Sequence, residues 1–181
     1  MKDLDLGDET YFERGEGGQR GSFDAALLRE PVSVLRVRSP LVLSMTSTVT
    51  EAVRAMQAGQ AGCVLITDDG TPDSKVNGIF TERDVLYRIV DRGRNPAQLP
   101  LSEVMTPDPE TLSVRSAVAY ALNKMSVGGF RHVPVVDDDL RPAFVISVRD
   151  VVEFLVEAFP REVLNLPPVE GVKAQQAREG A

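Results

Sequence analysis

The chain repeats itself. Residues 31–68 align with 100–137 at an offset of 69 without a gap, and twelve of those 38 positions are identical. The matches include Pro31/Pro100, Ser33/Ser102, Pro40/Pro109, Leu43/Leu112, Ala52/Ala121, Met56/Met125, Gly59/Gly128 and Asp68/Asp137. Ordinary amino-acid usage would give about two or three by chance. After a three-residue shortening the register resumes at an offset of 66, pairing Arg83 with Arg149, Asp84 with Asp150, Val85 with Val151 and Val90 with Val156. A duplicated chain folds as two similar units, and units of about 60 residues are marginal alone. The halves are therefore expected to share one body.

Each half reads the same way. A short apolar stretch, LVLS or ETLS, ends at a serine suited to begin a helix. Helical spacing follows: Val49, Ala52, Val53 and Met56, then Val118, Ala121, Leu122 and Met125. Gly59 and Gly128 stand where a glycine should stop those helices. Two short strands come next, CVLITDD and VNGIFT, or HVPVVDD and PAFVIS, apolar runs bounded by acidic or glycine-bearing turns, and then a second helix, DVLYRIV or DVVEFLVEAF. The expected fold is α+β, sandwich-like: two tandem β-α-β-β-α repeats packed sheet to sheet about a pseudo-twofold axis.

Boundaries follow from composition. Residues 1–30 hold eight acids against four bases, with Gly7, Gly15, Gly17, Gly18 and Gly21, so this segment is expected to be largely mobile. Ser22 to Arg29 could form a helical turn. Repeat 1 is placed at 31–92 and repeat 2 at 93–160. Pro167 and Pro168 open a solvated tail within 161–181.

Composition also narrows the function classes. The formal net charge of −7 argues against a nucleic-acid surface. No apolar run has the length of a membrane span, and the acidic start lacks a secretory layout, so a cytoplasmic chain with no membrane partner is expected. One Cys and one His cannot build a zinc cage, so no metal site is expected. No nucleophile–base pairing is recognisable, so no catalytic residue is assigned and the chain is not read as an enzyme.

The second helices open on a repeated motif, Thr81-Glu82-Arg83-Asp84 and Ser147-Val148-Arg149-Asp150. It suits a capping box, in which a hydroxyl and a carboxylate three residues later satisfy free helix N–H groups. It also suits a nucleotide. A helix N-terminus attracts phosphate, the hydroxyl can bond a phosphate oxygen, and the carboxylate can accept from ribose hydroxyls. Duplication would set one or two such sites between the halves.

GIFTERDVL and FVISVRDVV, with RHVPVVDDD and EVMTPDPETLSV, resemble a tandem cystathionine-β-synthase (CBS) domain pair over about residues 31–160. Members are mostly regulatory modules that bind AMP, ADP, ATP or S-adenosylmethionine and pair into disk-like dimers. The resemblance implies a regulatory module sensing adenosine-containing ligands, with no obligatory cofactor, a homodimer, and a regulated protein partner of unknown identity. It puts Asp84 and Asp150 on ribose hydroxyls, and Thr81 and Ser147 near ribose or phosphates. Arg131 and His132 would face phosphates, Thr106 would line the pocket, and Arg83 and Arg149 would add positive charge. Read without the resemblance, His132 is a core-edge histidine and Arg131 a solvated charge.

The halves are not equal. Gly62-Cys63 stands opposite Arg131-His132, Arg36-Val37 opposite Met105-Thr106, and Gly78 opposite Phe144 in a segment expected to narrow the second cleft. Cys63, in an apolar strand, is expected to be an inert buried thiol. Two equal sites are not expected. A structural or adaptor role with degenerate sites and dimerisation as its purpose is the alternative to nucleotide sensing.

Overall fold

The computed structural model of the protein describes residues 26–160. The acidic segment before residue 26 and the tail 161–181, expected to be mobile and solvated, lie outside the described residues. Of the turn expected over Ser22 to Arg29, the described part is a 3-10 turn at Leu27–Arg29.

Repeat 1 runs β1 (Val42–Ser44), α1 (Val49–Gly59), β2 (Cys63–Thr67), β3 (Gly78–Thr81) and α2. The last starts as α-helix over Glu82–Asp84 and continues as π-helix over Val85–Val90. Repeat 2 has a short strand β4 (Thr106–Pro107) in its lead-in and then runs β5 (Leu112–Ser113), α3 (Val118–Gly128), β6 (His132–Val136), β7 (Pro142–Ser147) and α4 (Val148–Ala158). The architecture is α+β, with one sheet ordered β1-β2-β3-β4 and the other β5-β6-β7. In both, the first strand pairs parallel to the second and the second antiparallel to the third.

Strand β2 is buried along its whole length, which is why it reads as an unbroken apolar run rather than an alternating one. Val64 and Ile66 join Val49, Ala52 and Met56 of α1 in the first core. Cys63 and Leu65 point the other way, clustering with Ile79, Val76 and Val145 of β7, so the two sheets pack on each other there. The second core gathers Val118 and Ala121 of α3, Val133 and Val135 of β6, Ile146 and Val151.

Each core is completed by the segment that leads into the other repeat. Leu99, Leu101 and Val104 lie in the first core, and Val32 and Leu35 in the second. The exchange is reciprocal in its hydrogen bonds. Val32 N–H donates to the Ser116 carbonyl at 2.8 Å, and Leu101 N–H to the Ser47 carbonyl at 2.8 Å. Val118 N–H donates to Glu30 and Val49 N–H to Leu99, both at 2.9 Å. Strand β4 extends the same relation by pairing with β3, while Arg38 bridges to Val145 on β7.

Two local expectations need correction. Ser44 and Ser113 end strands and do not begin helices. Helix α1 starts at Thr48, whose hydroxyl accepts from Glu51 N–H while the Glu51 carboxylate accepts from Thr48 N–H at 2.6 Å. Helix α3 has no side-chain cap at Ala117. Gly59 and Gly128 are the last helical residues, and the left-handed turn falls one residue later, at Gln60 (φ 47°) and Gly129 (φ 66°). Gly59 instead makes room for Leu41, whose Cδ1 would lie 3.0 Å from an added Cβ.

Candidate functional site

Both motif carboxylates form the capping box. Thr81 N–H and Oγ donate to Asp84 Oδ2 at 2.8 Å each, and Ser147 N–H and Oγ donate to Asp150 Oδ2 at 2.6 and 2.7 Å. The two then diverge. Asp84 Oδ1 takes an ion pair from Arg88 Nε at 3.1 Å, whereas among the described residues Asp150 Oδ1 has no partner.

Asp150 lies on an open cleft of about 1320 Å³ between the repeats. Repeat 2 contributes Arg131, His132, Ser147, Arg149 and Asp150. Repeat 1 contributes its lead-in Arg36–Leu41, brought alongside by the Arg38–Val145 bridge, together with Gly62, Cys63 and Glu82. Apolar walls come from Leu41, Val53, Met56, Val85 and Val145. Phe144 is not among the lining residues and packs into the second core, so it does not narrow this cleft.

Four arginines reach the cleft: Arg36, Arg38, Arg131 and Arg149. Two are engaged, Arg36 with Glu157 at 3.2 Å and Arg149 with Glu153 at 2.8 Å. Among the described residues, Arg38 and Arg131 have no ion-pair partner. The acids on the cleft are Glu82, Asp150 and Glu153. Repeat 1 lacks an equivalent of Arg131, as read from Gly62, but supplies cations from its lead-in.

Gly62 has its own role. A Cβ there would lie 2.6 Å from Glu82 Oε1 and 2.7 Å from His132 Nε2, so a larger residue would push back the ends of both side chains. His132 is partly buried at the start of β6. Burial pushes its pKa below the ordinary value, and Arg131 and Arg83 add to this against Glu82 and Asp150. It is therefore neutral at pH 7, a hydrogen-bonding group rather than a cation. Burial, with Glu82 and Asp150, pushes the Cys63 thiol up to about 12, leaving it a thiol at physiological pH.

Thr81, Asp84 and Thr106 come together elsewhere, around Arg88. Its Nη1 donates to the Val104 and Met105 carbonyls at 2.6 Å each, and its Nη2 to Thr106 Oγ at 3.0 Å. Gly78 admits Met105 here, whose Sδ would stand 2.5 Å from a Cβ. Arg83 stands apart, donating to the Gly129 carbonyl at 3.4 Å. Of the nine residues expected at a site, five line the Asp150 cleft, three surround Arg88 and one joins neither. The motifs single out neither Arg38 nor Arg88, and they mark Gly62 only as the absence of a cation. The lead-in comparison pointed at Arg36-Val37, one residue short of Arg38. Arg88 was detectable at an offset of 66, where it stands opposite Phe154.

Among the described residues no cluster of three or more metal-ligating side chains occurs, and no helix is long and apolar enough to cross a membrane.

The CBS-domain family model matches residues 32–91 and 101–157. The CBS domain-containing protein CBSCBSPB2 of Arabidopsis thaliana is 34% identical over 130 residues, which cover 72% of this chain and 23% of that protein. The chain thus spans about a quarter of the length of such relatives. Among solved structures, a CBS-domain protein of Pyrobaculum aerophilum in complex with AMP is 27% identical, with a TM-score of 0.63 covering 70% of this chain and 96% of that one. Another from Agrobacterium tumefaciens is 32% identical, with a TM-score of 0.57 covering 65% of this chain and 90% of that one.

Proposed function

The chain belongs to the CBS-domain family, with two copies in tandem, and from that premise we propose that it is a regulatory, non-catalytic module whose Asp150 cleft binds an adenine nucleotide. One observation carries this: Asp150, whose Oδ1 has no partner among the described residues, shares a cleft with Arg38 and Arg131, which have no ion-pair partner among them. Ribose hydroxyls would donate to Asp150, while the start of α4 and Arg131 would hold phosphate. His132, being neutral, would donate or accept a hydrogen bond. The apolar walls suit a purine face. The AMP in the Pyrobaculum aerophilum relative supports the same ligand class.

Arg38 and Arg131, without an ion-pair partner among the described residues, favour the phosphates of AMP, ADP or ATP over S-adenosylmethionine, whose sulfonium is itself positive. Because both repeats line the cleft, a nucleotide would favour one relative setting of the two, and only that difference in affinity can drive a switch. The regulated partner would read this setting. A second copy of the chain is the proposed neighbour of α2 and α4, whose Tyr87, Val90 and Val152 are exposed. These same residues also favour the adaptor reading, in which association is the whole function.

Thermal unfolding against AMP, ADP, ATP and S-adenosylmethionine separates the two. Nucleotide at a hundred times its dissociation constant adds about 2.7 kcal/mol, roughly 5 to 10 °C for a chain of this size. The rise is expected with a phosphate-bearing ligand and should vanish in Asp150→Ala. A flat response from nucleotide-free protein would leave the adaptor reading.

A further inference from the structure

We infer that Arg88 is an internal counter-cation that closes the Asp84 half of the duplicated site, so that the module holds one nucleotide and not two. The choice of nucleotide as probe rests on the reading of the Asp150 cleft given above. The closure rests on the bonds that Arg88 makes.

Those bonds leave little for a ligand. Asp84 spends Oδ2 on the Thr81 cap and Oδ1 on Arg88 Nε. The guanidinium spends its remaining groups on the Val104 and Met105 carbonyls and the Thr106 hydroxyl. Thr81, Asp84 and Thr106 are the residues that repetition would offer to a second nucleotide, and Arg88 now ties them to one another and to β4. The Asp84 side chain is only 12% exposed as a result.

The contrast with repeat 2 isolates the cause. At the position aligned with Arg88 stands Phe154, which packs against the second core and leaves Asp150 Oδ1 without a partner among the described residues. The helices differ as well. Helix α4 is regular, whereas Val85–Val90 is π-wound, with Asp91 N–H donating to the Leu86 carbonyl at 3.0 Å. π-turns inside helices recur at functional sites. Met105 packing over Gly78 closes the same region from the β4 side.

Equilibrium dialysis of the full chain with radiolabelled AMP, ADP and ATP counts the sites. Wild type is expected to bind one nucleotide per chain, lost in Asp150→Ala. Arg88→Ala is expected to bind two, and Asp84→Asn on that background should return the count to one. Wild type binding two would overturn the inference, as would an Arg88→Ala protein that unfolds cooperatively yet still binds one. If Arg88→Ala does not fold, Arg88→Met keeps the aliphatic stem, and its count, two or one, decides. No binding by wild type, with one Asp84-dependent nucleotide in Arg88→Ala, would remove the Asp150 reading while leaving the closure standing. No binding by any form would remove both.

Discussion

At His132 burial outweighs charge. Glu82 and Asp150 would hold a proton on the ring, yet desolvation, aided by Arg131 and Arg83, lowers its pKa below the ordinary 6.5. A histidine depressed in the folded state binds fewer protons there than in the unfolded chain. Its stabilising contribution is therefore complete above pH 6.5 and is lost as pH falls through the lower, folded value. The melting temperature of wild type should fall between pH 7.5 and 5.5 more steeply than that of His132→Gln. Parallel curves for the two proteins would show that His132 is not the linked group. The residue scale also marks where sequence reading stopped short. Asp84 and Asp150 sit in matching motifs, but what each can bind depends on the residue four positions on, Arg88 or Phe154, and on where that side chain goes. Opposite Arg131, Gly62 reads as a missing cation. Its use is spatial, since it admits the His132 ring and the Glu82 carboxylate, and no spacing rule shows that.

Among the elements, period and composition identified both halves' strands and helices, because buried strands and amphipathic helices leave distinct apolar patterns. Helix starts were harder. Ser44 and Thr48 are both suitable caps, and Thr48 is chosen because Glu51 lies three residues on to close the box. The π-winding of Val85–Val90 has no signature in the residues, which read as an ordinary helical run. That same stretch leaves Tyr87 and Val90 each 66% exposed, and α4 leaves Val152 51% exposed. If a second copy covers them, the wild-type protein should sediment at twice the 19.7 kDa chain mass. Tyr87→Lys with Val152→Lys should then return it to monomer with little change in the fold, because exposed substitutions cost about 0.5 kcal/mol or less. Wild type sedimenting as a monomer at tens of micromolar would exclude the dimer.

For the whole molecule, the decisive feature is the exchange of lead-ins. Sequence repetition placed the halves side by side, but not the crossing of Val32 and Leu35 into the core of repeat 2 and of Leu99, Leu101 and Val104 into that of repeat 1. Alignment carries no information about which half a linker packs on. The crossing explains why the cleft draws Arg38 from one repeat and Asp150 from the other, since the lead-in that fills the second core runs on past β7. It also means that neither core is complete without the other repeat, so the two should unfold together. Val32 is fully buried, and Val32→Ala removes two methyl groups, costing about 2 kcal/mol. Leu101→Ala, equally buried, should cost about 3 kcal/mol. In calorimetry each variant should shift one common transition downward, Val32→Ala by roughly 4 to 8 °C. Separate transitions, with Val32→Ala lowering only one and Leu101→Ala only the other, would mean that the repeats are independent. A nucleotide bridging them could not then act on a shared core.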